Sequence, residues 1–280
     1  MKKRSGLAAL APLALWTAVM VLFPMGYVLV LSFLTRGESW GVLWRFTLEN
    51  YKALGDSANL EILWNSMKIG AYTTLLTFLL GYPFALAMVL QPRRRRSLLL
   101  LLVVIPFWTS ALMRVYGWMI LLRTRGIVND ALLGLGLIHR RVKFLNNMGA
   151  VLFGMVYSLL PFMILPVYTS LEKLSPSLQE AARDLGARPF QAFWTVVFPL
   201  TVPGVMSGCV LVFVPAVGMF FISDLMGGGG SMLLGNLISY YFSAGKNWPM
   251  AAALSMLMVA LTFLSVHVYR RYSGGEMGVF

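Results

Sequence analysis

Cys209, His139 and His267 are the only cysteine and the only histidines in 280 residues, and none stands in a pattern that makes chemistry. A single thiol excludes an internal disulfide and a thiolate metal cluster, leaving Cys209 as a small apolar side chain. The two histidines lie far apart with no carboxylate close by to orient either as a general base. Gly227-Gly228-Gly229-Gly230 follows no strand and precedes no Lys-Ser or Lys-Thr pair, so it reads as a flexible connection rather than a phosphate-binding loop. With no Walker lysine after any glycine loop, nothing here can hydrolyse ATP, and no cofactor is expected in this chain. Arg114 is a different case, because it is the only charge in an apolar run at 97–122. An arginine at the centre of a membrane helix costs about 2.5–3.5 kcal/mol on insertion scales, so it must face protein or water. Asp224 or free carbonyls are its candidate partners.

The elements that position these residues are membrane helices. Hydrophobic residues make up 59% of the chain and charged residues 12%, about half the charged share of a soluble domain. Charge-free runs at 5–35, 69–92, 144–171, 189–223 and 247–269 each reach the roughly 20 residues a spanning helix needs, and 97–122 makes a sixth. They are too long and too unpatterned for barrel strands. The expectation is an all-α integral membrane protein, a six-transmembrane-helix bundle in lipid. The first run follows Met1-Lys2-Lys3-Arg4, but it is too long for a signal-peptide core and no small-residue cleavage site closes it, so it is expected to stay as the first helix.

The net charge of +13 comes from basic residues in the connections, which excludes a nucleic-acid role in favour of topology. With both termini in the cytoplasm, the inner segments hold Lys2, Lys3, Arg4, the Arg93–Arg96 cluster, Lys173, Arg183, Arg188, Arg270 and Arg271. The longer outer loops are poorer in lysine and arginine, apart from the stretch between Arg123 and Lys143. Outer segments 37–61 and 126–141 are expected to form short surface helices.

The connection at 172–202 has a helical pattern of its own. Leu178, Ala181, Ala182 and Leu185 form one apolar stripe, with Gln179, Glu180, Arg183 and Asp184 opposite. Ser177 and Glu180 match a capping box, and Gly186 suits the left-handed position that ends a helix. A second helix starts at Pro189, is expected to stop at Pro199, and resumes after Pro203. Such an element either rests on the bilayer or docks a soluble partner.

Glu180-Ala181-Ala182-Arg183-Asp184-Leu185-Gly186-Ala187, followed by Phe198-Pro199-Leu200, resembles the coupling motif of binding-protein-dependent ABC importer permeases, in its residues and its spacing. The resemblance extends to Ile105-Pro106-Phe107-Trp108-Thr109, to Leu160-Pro161-Phe162-Met163 with Leu171-Glu172-Lys173-Leu174, and to Ser223-Asp224-Leu225-Met226-Gly227-Gly228. It covers nearly the whole chain after Ala14 and is closest to the permeases of spermidine/putrescine importers. It implies a type I importer (MetI-like) permease fold, with a first helix and outer loop at 1–61, the core at 62–270 and a cytoplasmic tail at 271–280, in a bacterial inner membrane.

The same resemblance implies the partners: an ABC ATPase dimer that binds ATP and Mg, a second permease like this one, and an extracytoplasmic polyamine-binding protein. Glu180, Ala181, Ala182, Asp184, Gly186, Pro199 and Leu200 would contact the ATPase. A polyamine favours carboxylates and aromatic faces, so Asp224, Trp108, Tyr116 and Phe221, with Trp118, are the candidates for the solute path; each ring also serves packing. A same-family permease for another small solute is the rival reading. A secondary carrier, or a channel, would show intramembrane ion-coupling carboxylates, and a membrane-embedded enzyme would need a nucleophile and base within reach; these spans carry neither.

Overall fold

The protein is described here by a computed structural model, which covers residues 12–13, 15–37, 41–230 and 232–272. The Lys2–Arg4 cluster and all but the first two residues of the 271–280 tail lie outside the described residues. Among these, twelve helices and one hairpin follow in the order α1 (Leu15–Ser32), β1 (Leu34–Arg36), β2 (Val42–Phe46), α2 (Glu49–Ala53), α3 (Ser57–Val89), α4 (Arg93–Trp108), α5 (Ala111–Leu121), α6 (Ile127–Gly134), α7 (Met148–Glu172), α8 (Pro176–Asp184), α9 (Pro189–Gly218), α10 (Phe220–Gly227), α11 (Leu234–Phe242) and α12 (Trp248–Tyr272). Helices α1, α3, α7, α9 and α12 are each long and apolar enough to cross a membrane, which gives five candidate spans, or six if the bent pair α4–α5 is counted as one broken span. At 1.5 Å per residue, α3 is about 50 Å long, well beyond the hydrocarbon thickness, so its ends continue outside the apolar layer.

Two compact units result, one of residues 1–62 with 237–261 and one of 63–236 with 262–280. In the first unit, segment 37–61 departs from the expected surface helices. Leu34–Arg36 and Val42–Phe46 pair antiparallel, and only then does the five-residue α2 follow. Val42, Trp44 and Phe46 are β-branched or aromatic residues that favour a strand, and Gly41 at φ +90° supplies the left-handed turn. Asn50 fastens the hairpin to α1 by donating to the Ser32 carbonyl (3.0 Å) and the Leu34 carbonyl (2.9 Å).

The second unit is built on α7. One cluster of buried side chains joins it to α3 and α9 through Tyr82, Met88, Leu159, Met163, Val167 and Val212. Another joins it to α5 and α10 through Val115, Val151, Met155, Ile222 and Met226. Helix α9 approaches α7 at Gly204 and Gly208. A Cβ at Gly204 would collide with Ser170 Oγ and stand 2.7 Å from the Pro166 carbonyl, and one at Gly208 would stand 2.7 Å from Met163 Sδ. Small residues four apart bring membrane helices together where lipid supplies no hydrophobic driving force. A buried pair, Tyr82 Oη and Thr201 Oγ1 at 2.9 Å, adds a polar tie between α3 and α9.

Two expectations about helix continuity are corrected. The run at 97–122 is not one straight span: α4 closes in a 3₁₀ turn at Ile105–Trp108, Thr109 and Ser110 are extended, and α5 leaves at 93°. Pro106 cannot donate to a helical carbonyl, which favours the break there. Conversely, α9 does not stop at Pro199; it runs unbroken from Pro189 to Gly218. The turn at Phe193–Val197 widens to π geometry immediately before Pro199, giving the ring room that a normal α turn denies it.

Candidate functional site

Helix α8 and the start of α9 form a helix–turn–helix between two spans. Ser175 is the N-cap of α8 and Pro176 its first residue, which corrects the expected Ser177 capping box; Ser177 lies inside the first turn, with its Oγ 2.6 Å from Ser175 Oγ. The helix ends as the sequence suggests. Gly186 adopts φ +84°, its amide donates to the Arg183 carbonyl (2.8 Å), and the Ala187 amide reaches back to the Ala182 carbonyl (3.0 Å). These two bonds close a Schellman motif and satisfy carbonyls the helix end would orphan. Two residues on, the Arg188 amide donates to Gln191 Oε1 (2.9 Å), capping α9.

The apolar side chains of this block point outward. Ala182, Ala192 and Val197 are buried inside it, while Leu185 is 89% exposed, Phe190 73%, and Leu178, Trp194 and Leu200 about half. Glu180, Ala181, Asp184, Gly186 and Pro199 share that exposure. Among the described residues, and apart from its own chain neighbours, nothing lies within 4 Å of the position a Gly186 Cβ would take. The expected stripe is therefore mostly uncovered, with only Ala182 packed against its own chain. An exposed apolar patch of this kind on a rigid scaffold marks an interaction surface.

The block is anchored to the spans by a cluster the sequence analysis passed over. Glu172, the last residue of α7, accepts from Tyr168 Oη (2.7 Å) and pairs with Arg96 Nη1 (3.2 Å), whose other nitrogen donates to the Val89 carbonyl (2.5 Å) at the end of α3. Through this ion pair and hydrogen bond, Arg96 ties α3, α4 and α7 together four residues before α8. The signal was available: Glu172 and Arg96 are charges at the ends of two apolar runs.

The candidate solute-path residues lie elsewhere and do not form one constellation. Trp108 ends α4 and is 80% exposed, Tyr116 is exposed on α5, and Phe221 and Asp224 lie on α10, which packs beside α5. Trp118 is committed to packing, edge-on to Phe153 and Tyr157 of α7. Asp224 is exposed, and one oxygen accepts from Asn236 Nδ2 (2.5 Å), while Asn236 Oδ1 accepts from the Leu233 amide. Arg114 takes the carbonyl alternative: its Nη1 donates to the Pro106 carbonyl and to Thr109 O (2.7 Å) and Oγ1 (3.2 Å). Asn236, in the first turn of α11, was not singled out from sequence, since a lone Asn carries no periodic signal.

Spans, break and exposed block together define an α-helical, multi-pass membrane protein. Residues 71–273 match the family described as "Binding-protein-dependent transport system inner membrane component", and the chain belongs to that family. Among curated relatives, the "Spermidine/putrescine transport system permease protein PotB" of Haemophilus influenzae is 44% identical over 256 residues, covering 91% of this chain and 90% of that protein. Its Escherichia coli K12 counterpart is 43% identical over 258 residues, covering 92% and 94%. Of solved structures, a bacterial alginate ABC transporter in complex with its pentasaccharide-bound periplasmic protein superposes at TM-score 0.76 with 18% identity over 97% of this chain and 96% of that one. The MetNI methionine ABC transporter follows at TM-score 0.56 and 19% identity, over 78% and 97%. These likenesses show the fold: the all-α permease fold of type I ABC importers.

Proposed function

We propose that this protein is the permease subunit of an ATP-driven importer of polyamines, spermidine and putrescine in the first place. The observation that carries the substrate class is the 43–44% identity to two permeases named for these solutes, sustained over at least nine tenths of both chains.

The exposed block supports the rest of the reading. Leu185, Phe190 and Trp194 would be covered by an ATPase subunit, one of a pair that binds ATP and Mg, with Glu180, Ala181, Asp184, Gly186, Pro199 and Leu200 in the contact and Ala182 as the packed base beneath them. This chain itself would supply no ATPase chemistry. A second, similar permease would complete the path, and an extracytoplasmic binding protein would deliver the solute. The basic residues beside the spans favour cytoplasmic termini in a bacterial inner membrane. Along the path, the accessible carboxylate of Asp224 and the rings of Trp108, Tyr116 and Phe221 suit a polycation.

Uptake of labelled spermidine and putrescine, in a strain deleted for its own polyamine import and supplied with the partner subunits, tests the reading. Uptake is expected only when this chain is present. Its absence from a fully assembled complex would redirect the solute assignment within the same family.

A further inference from the structure

The hairpin that follows α1 carries large apolar side chains left uncovered. Trp44 is 80% exposed and Phe46 70%, with Leu43 and Leu48 about half exposed. Arg36 and Arg45 are exposed beside them, and neither guanidinium has a hydrogen bond or ion pair among the described residues. All of these residues belong to the first compact unit, together with α1.

Helix α1 sets their depth. The span Leu15–Ser32 has 18 residues, about 27 Å of helix against a hydrocarbon layer of about 30 Å. It ends at Ser32, and the first charge, Arg36, comes four residues later, so this end of α1 stands at the membrane boundary. The hairpin is fastened to that end. The Thr47 amide donates to the Phe33 carbonyl (2.7 Å), Ser32 Oγ and Tyr51 Oη lie 2.7 Å apart, and the Phe33 and Phe46 rings stack at 5.5 Å and 9°. Together with the two Asn50 bonds, these contacts hold Phe46 level with the first residue beyond the span. Trp44, two residues away, is within about 7 Å of Phe46 along the strand. A headgroup layer is about 5–7 Å deep. Whatever the tilt of the hairpin, Trp44 therefore stays in or beside that layer.

Strand register is a second, independent observation. Leu34 pairs with Phe46 and Thr35 with Leu43, so Trp44 and Arg45 are extra residues in β2 with no partner opposite. Thr35 Oγ1 donates to the Arg45 carbonyl (2.9 Å) and fixes this bulge. Bulges re-aim side chains, and here an indole and a guanidinium are presented side by side. An indole has an apolar body and one N–H for a polar neighbour, which is why tryptophan collects at membrane–water boundaries. A guanidinium matches a phosphate with two parallel hydrogen bonds.

We propose that the β1–β2 hairpin is a membrane-interface anchor whose partner is the phospholipid layer at the end of α1. Trp44 and Phe46 lie among the glycerol and upper acyl groups, and Arg36 and Arg45 bind lipid phosphates. Lipid is favoured over a protein partner by continuity and by charge. The exposed apolar side chains of α1 reach Val30, one turn before Phe33, and two unpaired cations with an indole at this depth match a headgroup layer. Through Ser32, Phe33 and Asn50 the anchor fixes the height of α1 in the bilayer. None of this depends on which solute is carried.

The test replaces Trp44 by the photoprobe p-benzoylphenylalanine in the complex of both permeases and the ATPase pair. The complex is reconstituted in vesicles of phosphatidylethanolamine and phosphatidylglycerol, with loaded binding protein outside. Illumination should add phospholipid mass to this chain, in similar yield with and without the binding protein. Arg36→Glu with Arg45→Glu should cut that yield several-fold, since carboxylates repel phosphates, while Arg36→Lys with Arg45→Lys should retain it. Cross-linking to the binding protein or to the second permease in place of lipid overturns the proposal, as does a lipid yield that the glutamate pair leaves unchanged. If the glutamate pair does not assemble, a nitroxide on Trp44→Cys in a Cys209→Ala background decides. It should collide more with dissolved oxygen than with a water-soluble nickel chelate, and the reverse order overturns the proposal.

Discussion

Gly186 combines two properties at one residue: a left-handed backbone at φ +84° and an empty space where a side chain would stand. The first demands glycine or asparagine, and the second leaves room for a partner to approach. Two substitutions separate them. Gly186→Val places a β-branched residue in a conformation it rarely adopts, so it should deform the end of α8 and abolish uptake while the protein remains in the membrane. Gly186→Asn keeps the backbone and adds only bulk; retained uptake would put the requirement in the backbone, and lost uptake in the approach of the ATPase. Immunoblotting of membranes alongside transport assays checks both. Gly204 makes a different kind of demand, since its Cβ would collide with Ser170 across the α7–α9 contact. Gly204→Val should force the two helices apart and reduce the amount of assembled protein recovered from membranes, with Gly204→Ala milder.

At the level of elements, the spans and the helix–turn–helix were legible because each rests on composition or on a repeating period. Leu178, Ala182 and Leu185 give the helical period of α8, and Gly186 its end, before any tertiary contact is considered. What was not legible depends on contacts between distant residues or on how a proline is accommodated. Pro106 and Pro199 carry the same local signal, yet the chain breaks at the first and passes through the second. The difference lies in the π turn at Phe193–Val197, which precedes Pro199, and in Arg114, which holds the carbonyls that the break near Pro106 exposes. Asn236 escaped notice because a single polar residue among apolar neighbours in a helix has no pattern around it. The hairpin was missed for a related reason: strands of three and five residues without polar–apolar alternation carry no period of their own. Glu172→Gln is the prediction that belongs here. The Arg96–Glu172 pair is partly exposed, so its loss should cost stability only a few tenths to about 1 kcal/mol. Because it ties α3, α4 and α7 just ahead of α8, the same change should lower uptake more than it lowers protein level. Equal falls in the two would assign the pair to stability alone.

For the molecule as a whole, the reading divides labour. The chain offers apolar spans and an exposed docking surface, while under the proposed function the energy would enter through another subunit. Transport should therefore stop when ATP is depleted, even with the ion gradient held by an external pH difference, whereas a secondary carrier would continue. The positive charge beside the spans also predicts orientation: a cysteine placed at Leu185, 89% exposed in the block, should react with an impermeant thiol reagent only from the cytoplasmic side, and be shielded when the ATPase is bound. The single native thiol, Cys209, lies in the membrane-spanning α9, so its substitution by Ala provides the background for that labelling.

The most direct test of the account is ATP-dependent accumulation of labelled spermidine in proteoliposomes containing the two permeases and the ATPase pair, with loaded binding protein added on the outer face. The account predicts accumulation that requires this chain and that falls to background in the Gly186→Val complex, with the ATPase subunits intact. Accumulation that continues without this chain, or without ATP, would contradict it.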